Sequence, residues 1–432
     1  MIEKQPLELN PDFQYVLNQL EQTNRSLFIT GRAGTGKSTL LQLFKNTTRK
    51  KTVVLAPTGI AALNVGGQTI HSFFGFPPKP LRKEDIRRRR NRSLYRKLEI
   101  LIIDEISMVR ADMLDNIDYF LRLNRENPKP FGGVQLVFFG DLFQLPPVVS
   151  TDVERQLFQT YYDSPYFFSA KVLQEEMEIE MIELRKVYRQ EARHFIRLLD
   201  AVRSNQLDFD DLEDLNERYE PDFEPEDFYI TLSTRNAIVN SINQSKLSKN
   251  PSEEFSFIAS VTGDFHPRLF PAEAVLKLKL GAQVMFVKND PKKQFVNGTI
   301  GMISHIDHDN IEVLVEEDGK NRRIVVEKME WEILKYKDDV QDANNIKTDV
   351  VGTFKQYPLR LAWAITIHKS QGKTFEKVII DLGRGAFEHG QTYVALSRCR
   401  TLEGIVLKQP LRPNDIMVDD RIVSYYEGNY YK

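Results

Sequence analysis

Four short apolar runs, each ending in polar residues, punctuate the first third of the chain: residues 26–30 (SLFIT), 52–57 (TVVLAP), 99–105 (EILIIDE) and 135–141 (QLVFFGD). Runs rich in Val, Ile and Phe with polar carboxyl ends predict buried parallel strands, and the helical patterns between them predict a doubly wound α/β domain. Residues 228–234 (FYITLST), 377–382 (KVIIDL) and 404–409 (GIVLKQ) repeat the pattern and predict a second α/β half. Between about residues 255 and 331 the texture changes to short alternating runs broken by Asn297-Gly298 and Asp318-Gly319. That pattern predicts a small antiparallel β-barrel inserted into the second half. The expected division is 1–183 for the first domain, 184–254 and 335–432 for the second, and 255–334 for the barrel.

A length of 432 residues fits about two to four domains. Lys and Arg total 59 against 61 Asp and Glu, a net charge of −2, so attraction for a polyanion must come from local clusters. Residues 78–98 (PKPLRKEDIRRRRNRSLYRKL) supply one, with ten basic and two acidic residues, a net of +8. Residues 208–227 are the reverse, eleven acidic to one basic, and read as a solvated connector. The single cysteine, Cys399, excludes an intrachain disulfide and fits a reducing compartment. The first ten residues lack an apolar signal core, and no run approaches the ~18 apolar residues that span a bilayer. A cytoplasmic protein of bacterial type, without membrane contact, is expected.

The residues that follow the first strand, GRAGTGKST, carry phosphate chemistry. Gly31, Gly36, Lys37 and Ser38 satisfy GxxxxGK[ST] between a strand and a helix. There the N–H groups of a glycine-rich loop, here Gly34, Thr35 and Gly36, cradle phosphates, Lys37 reaches the β and γ phosphates, and Ser38 with Thr39 opens the helix. The expected ligands are ATP and Mg2+, with Ser38 on the metal. The strand at 99–105 ends in Asp104 and Glu105, at the edge where α/β folds place ligands. Asp104 is placed to hold Mg2+ and Glu105 to polarise a water for in-line attack, so hydrolysis is favoured over transfer to a small substrate. Gln144 in FFGDLFQLPPV is a neutral group able to sense the γ phosphate, and Arg189 (LRKVYRQ) and Arg398 (YVALSRCR) are arginines that a facing domain could supply. Such arginines stabilise charge developing in phosphoryl transfer and make cleft closure depend on nucleotide.

GRAGTGKST, APTGIAA followed by TIHSFF, LIIDEISM, GDLFQLPPV, LRKVYRQ, LSTRN, AITIHKSQGKTF and YVALSRCR, in this order, resemble the motif series of the Pif family, in the Pif/RecD-like branch of superfamily-one DNA helicases. The match spans about residues 9–400 and is similar to a compact bacterial form of the motor. The resemblance implies two RecA-like P-loop domains, an SH3-like barrel in the second, and a basic insertion at about 75–98 that would act as a wedge against duplex. It implies 5′-to-3′ movement on single-stranded DNA and unwinding of duplex, forked or G-quadruplex DNA. It gives Lys37, Ser38, Asp104, Glu105, Gln144, Arg189 and Arg398 the roles already argued, and Gln14 the reading of adenine. A monomer is expected. The competing reading is an ATP-gated single-strand clamp that hydrolyses nucleotide without separating strands.

A motor that moves along DNA grips the backbone through hydroxyls, amides and cations and stacks bases on aromatic faces. Pro57, Thr58 and Gly59 follow a strand, His71 and Phe73 lie in TIHSFF, and Thr234, Arg235, Asn236 and Asn240 follow FYITLS. Thr366, His368, Lys369 and Lys373 lie in AITIHKSQGKT, and the barrel adds Asn297. Phe73 could stack on a base or belong to the core.

Overall fold

The structure is a computed structural model and describes residues 10–77, 80–149, 151–225, 227–317, 320–338 and 346–430. The Asp318-Gly319 turn, Pro78 and Lys79 of the basic run and Glu226 of the acidic run lie outside the described residues. The first parallel sheet runs in the order Gln68–Thr69, Thr52–Ala56, Ile100–Ile103, Gln135–Phe139, Leu27–Gly31, Glu180–Leu184. Ile100–Ile103, Gln135–Phe139 and Leu27–Gly31 are buried along their whole length, as strands covered on both faces must be. The second parallel sheet runs Ala364–Thr366, Ile230–Ser233, Val378–Asp381, Ile405–Leu407. All the strands read from apolar runs are present. Gln68–Thr69, Glu180–Leu184 and Ala364–Thr366 are additional, the first two at the edges of their sheet.

Five antiparallel strands between the two parts of the second half lie in the order Lys320–Val326, Ile311–Glu317, Ile300–Ile306, Gln283–Phe286, Leu359–Leu361. With the pair Glu254–Ile258 and Val275–Lys279 they enclose a separate core that includes Leu278, Phe286 and Val313. A further sheet joins Met329–Asp338, Ile346–Gln356 and Ser260–Gly263. Met329–Asp338 runs straight through position 334, so the antiparallel region continues past the expected boundary to Leu361.

One further expectation is corrected. The acidic stretch is not a bare connector: Asp208 caps the helix Phe209–Asn216, whose Leu215 is buried. The basic run is folded against the first domain, with Ile86 and Tyr95 in the core and Glu126 ion-paired with Arg88, Arg92 and Arg96. Finally, the helix Asp420–Tyr430 returns to the first half, where Tyr425 stacks on Phe168 with centroids 4.4 Å apart and the Tyr426 hydroxyl donates to Glu183. Among the described residues no helix is long and apolar enough to cross a membrane.

Candidate active site and nucleic-acid interface

The strand Leu27–Gly31 delivers the glycine-rich loop, and the helix Lys37–Thr47 carries it away with its amide end toward the loop, an arrangement that favours anions. Gly34 has φ +84°, and a Cβ there would fall 2.5 Å from the Cβ of Arg189. Only glycine permits that approach, so the loop is built to be touched by the second half. The Tyr188 N–H donates to Gly34 O at 2.9 Å. Lys37 Nζ donates to the carbonyls of Gly31 and Arg32 at 2.6 and 2.9 Å, and burial lowers its pKa to about 8.

Ile100–Ile103 places Asp104 and Glu105 at its carboxyl end. Glu105 is in the left-handed region at φ 52°, a conformation that costs a non-glycine residue about 1–3 kcal/mol and that clusters at functional sites. Burial raises the pKa of both carboxyls; the neighbouring Glu105 adds to this at Asp104, while Lys37 and Arg398 oppose it at Glu105. Glu105 accepts from Gln371 Nε2 of the second half at 3.1 Å. Gln144 is buried and donates to Asp141 at 3.2 Å. Burial would raise the pKa of Asp141, but Arg203 and Lys37 outweigh it and hold the carboxyl below its usual range. Arg203 pairs with it at 3.1 Å and lies over the rings of Phe143 and Tyr426.

Lys37, Glu105 and Gln144 line a cleft of about 860 Å3 between the halves, whereas Asp104, Asp141 and Arg203 do not reach it. Gly34 to Thr39, Glu105 and Gln144 form one wall; Tyr188, Arg189 and Arg398 stand on the other. Arg398 is 1% exposed and donates from Nε to Val394 O at 2.9 Å and from Nη2 to Ser397 Oγ at 2.8 Å. Arg189 Nη1 donates to Ser397 O at 3.1 Å. Burial lowers these guanidinium groups to about 10 and about 9. Three cations held on neutral acceptors in one buried cleft suit a ligand of high negative charge density. Ser38 and Asp104 supply hard oxygen donors, the ligand type that suits Mg2+. Gln14, by contrast, is exposed on the helix Pro11–Gln22 and does not line the cleft; its neighbour Phe13 turns its ring toward Gly36. Tyr188 was not singled out from the sequence, although it stands beside Arg189 in VYR.

Apart from Asn297, which lies in the antiparallel insertion, the nucleic-acid candidates lie at or follow the carboxyl ends of parallel strands. Pro57, Thr58 and Gly59 follow Thr52–Ala56, with Thr58 capping the helix Gly59–Val65. Thr234, Arg235 and Asn236 follow Ile230–Ser233, with Asn240 exposed a turn further on. Thr366 caps the turn that carries His368 and Lys369. Lys373 Nζ donates to Asn297 Oδ1 at 3.0 Å, which joins this turn to the insertion. His71 is half-buried, and burial lowers its pKa. Phe73 is not available to a base: it is 5% exposed and edge-on to Phe74, Tyr95 and Tyr336 at 4.9, 5.5 and 5.9 Å. The insertion also covers Gly59, where Leu269 would meet a Cβ at 2.3 Å. Phe387 is an exposed ring, 59% accessible in the loop after Val378–Asp381. Its neighbour Glu388 pairs with His368 at 3.0 Å.

A glycine-rich phosphate loop facing arginines across two α/β halves defines a P-loop protein whose nucleotide cleft lies between domains. The sequence model of the PIF1-like helicase family matches residues 8–213, and that of the DNA helicase Pif1 2B domain matches residues 268–306. The chain is 32% identical to the ATP-dependent DNA helicase Pif1 of Bdellovibrio bacteriovorus over 98% of its own length and 92% of that protein. It belongs to the PIF1-like helicase family. The crystal structure of Bacteroides sp Pif1 in complex with ADP-AlF4 superposes with a TM-score of 0.90 at 38% identity, covering 98% of this chain and 97% of that one. For Bacteroides Pif1 bound to ssDNA the TM-score is 0.69 at 39% identity over 97% of this chain and 96% of that one, so the arrangement seen here is more similar to the first structure. The chain spans 62% of the length of the Emericella nidulans relative, ATP-dependent DNA helicase PIF1, to which it is 30% identical over 96% of its own length.

Proposed function

We propose that this protein is an ATP-hydrolysing DNA helicase that moves 5′ to 3′ on single-stranded DNA and unwinds duplex, forked or G-quadruplex DNA. The observation that carries the reading is the shared cleft: Arg189 and Arg398 of the second half line the same space as Lys37, Glu105 and Gln144 of the first. Lys37 and the loop amides bind the triphosphate, and Tyr188 offers an exposed face for the base. Ser38 and Asp104 would hold a Mg2+ ion, which when bound would neutralise charge on the phosphates. Glu105, oriented by Gln371, takes the proton of the attacking water. Gln144 registers the γ phosphate, and the arginines stabilise the charge that develops on it. Loss of that phosphate releases the two halves from each other, and the loops at Pro57 to Gly59, Thr234 to Asn236 and Thr366 to Lys369 shift their grip in turn. Phe387 takes the stacking role that Phe73 does not.

The remaining assignments follow the same reading. The two halves are RecA-like domains, the antiparallel insertion is an SH3-like barrel, and the folded basic segment meets the duplex. The protein works as a monomer in isolation. The test is ATP turnover with and without single-stranded DNA, paired with strand separation on 5′-tailed and 3′-tailed duplexes in the presence of a protein trap. Turnover stimulated by DNA with unwinding of the 5′-tailed substrate is expected. Stimulated turnover without strand separation would leave an ATP-gated clamp instead.

A further inference from the structure

Arg360 lies on the strand Leu359–Leu361, paired with Met285 in the insertion, a few residues before the segment that enters the second parallel sheet. Its Nε is buried and has no hydrogen-bond partner among the described residues. Two more cations lie within reach of its field. Lys369 is exposed, and Lys373 donates to Asn297 Oδ1, a neutral acceptor. Lys373 also lies close under the insertion, since a Cβ on Gly298 would be 3.3 Å from its Cβ. The charges are near enough to act on one another: after burial, the field of Arg360 is what lowers the pKa of both lysines. The carboxylate whose field reaches Arg360 and Lys369 is the exposed Glu273.

Like charges gathered in a half-buried place disfavour one another unless an anion joins them. A guanidinium fork with two ammonium groups matches a phosphate, which takes planar bidentate donation and point charges together. We propose that Arg360, Lys369 and Lys373 form a phosphodiester-binding site at the joint between the insertion and the second parallel sheet. The proposal rests on the reading that the chain binds single-stranded DNA, and adds a contact from the insertion strand to it.

The site has a consequence for coupling. Lys373 presents its ammonium to Asn297 of the insertion, but its carbonyl accepts from Arg398 Nη1 at 3.4 Å. Gly372 and Thr374 on either side line the nucleotide cleft, and Gln371 holds Glu105. One segment of four residues therefore has its inner side on the nucleotide and its outer side on the strand's backbone. A phosphate drawn onto Lys373 and Arg360 acts directly on the support of Arg398.

The experiment measures binding of fluorescein-labelled oligo-dT by anisotropy between about 0.05 and about 0.3 M salt, with thermal unfolding of each variant alongside. Arg360→Gln is expected to weaken binding roughly five- to tenfold and to reduce the slope of log affinity against log salt by about 0.7, the value of one single-strand phosphate contact. Arg360→Lys restores the slope, because the charge returns. The Arg360→Gln protein unfolds no earlier than the wild type, since no protein partner of Nε is orphaned. Lys246→Gln, on an exposed helical position away from the joint, leaves the slope unchanged. An Arg360→Gln slope equal to that of the wild type overturns this site alone, and so does a loss of binding matched by a lowered unfolding temperature. Wild-type protein that does not bind oligo-dT overturns the functional reading together with the site.

Discussion

The Tyr393 hydroxyl accepts the backbone N–H of Ala33 at 2.9 Å and points its own proton toward Asp141 at 3.4 Å. A helix of the second half thus closes the phosphate loop of the first across 360 positions of sequence. The same carboxylate receives Gln144 and Arg203, so the phosphate loop, Gln144 and the second half meet at one buried ion pair. Tyr393→Phe leaves a buried N–H without its acceptor, a loss of about 1–3 kcal/mol. Thermal unfolding is expected to fall, and kcat for ATP to drop about tenfold with a smaller change in KM. An unchanged kcat would show that the hydroxyl serves packing alone.

The proposed function gives Lys37 and Glu105 separable roles. Lys37→Ala removes the cation proposed to bind the phosphates, so nucleotide binding and turnover are expected to be lost while DNA binding persists. Glu105→Gln keeps the shape and loses only the base, so ATP still binds and turnover falls by about 10² to 10⁴. Equilibrium binding of a labelled ATP analogue, beside turnover, checks both. Equal loss of nucleotide affinity in the two variants would refute the division.

Burial, then Arg360 and Arg398, lowers Lys373 from its ordinary 10.5 to about 8. The unfolded chain keeps this proton up to about pH 10.5 while the folded chain releases it from about pH 8, so the unfolded state binds more protons across that window. Stability therefore rises with pH there, and the cost of the buried charge is fully present below pH 8. Affinity for DNA runs the other way, because a phosphate selects the ammonium form. Binding of oligo-dT by the wild type is expected to weaken from about pH 7 to about pH 9, and Lys373→Gln to flatten that dependence. Parallel pH curves for the two proteins would remove Lys373 from the interface.

Phe387 and Phe73 make opposite predictions. Truncation of an exposed stacking ring costs about 1–3 kcal/mol of DNA binding, and Phe387→Ala is expected to lose that with no change in unfolding temperature. Phe73→Ala opens a cavity among three aromatic rings and costs about 3–5 kcal/mol of stability. Anisotropy and urea unfolding of both variants separate the cases. Loss of binding by Phe73→Ala at full stability would reverse the assignment.

The parts of the fold legible in the sequence are those with a strong local pattern. Strands buried on both faces announce themselves as unbroken apolar runs, and GRAGTGKST places the phosphate loop through glycines whose spacing has one physical use. Glu180–Leu184 was missed because an edge strand with half-buried glutamates (EMIEL) carries no apolar run. The hairpin of Met329–Asp338 and Ile346–Gln356 alternates in the same way as the insertion before it, and the expected boundary cut through the pattern. Arg203, Gln371 and Arg360 escaped for another reason. The importance of the first two lies in partners far along the chain, Asp141 and Glu105, and that of Arg360 in the like charge of Lys373; no local spacing marks such pairs. Phe73 and Phe387 both lie beside polar residues in sequence, and only packing tells the buried one from the exposed one.

The most direct measurement of the central claim is the single-turnover rate of ATP hydrolysis by Arg398→Ala with saturating single-stranded DNA. Arginines placed in this way are worth about 10³ to 10⁵ in rate. A fall of at least about 10³, with ATP still bound, is the predicted result, since Arg398 would then act on the charge formed at the γ phosphate across the cleft. Hydrolysis at the wild-type rate would contradict it, and the two halves would have no chemical step to couple to their movement.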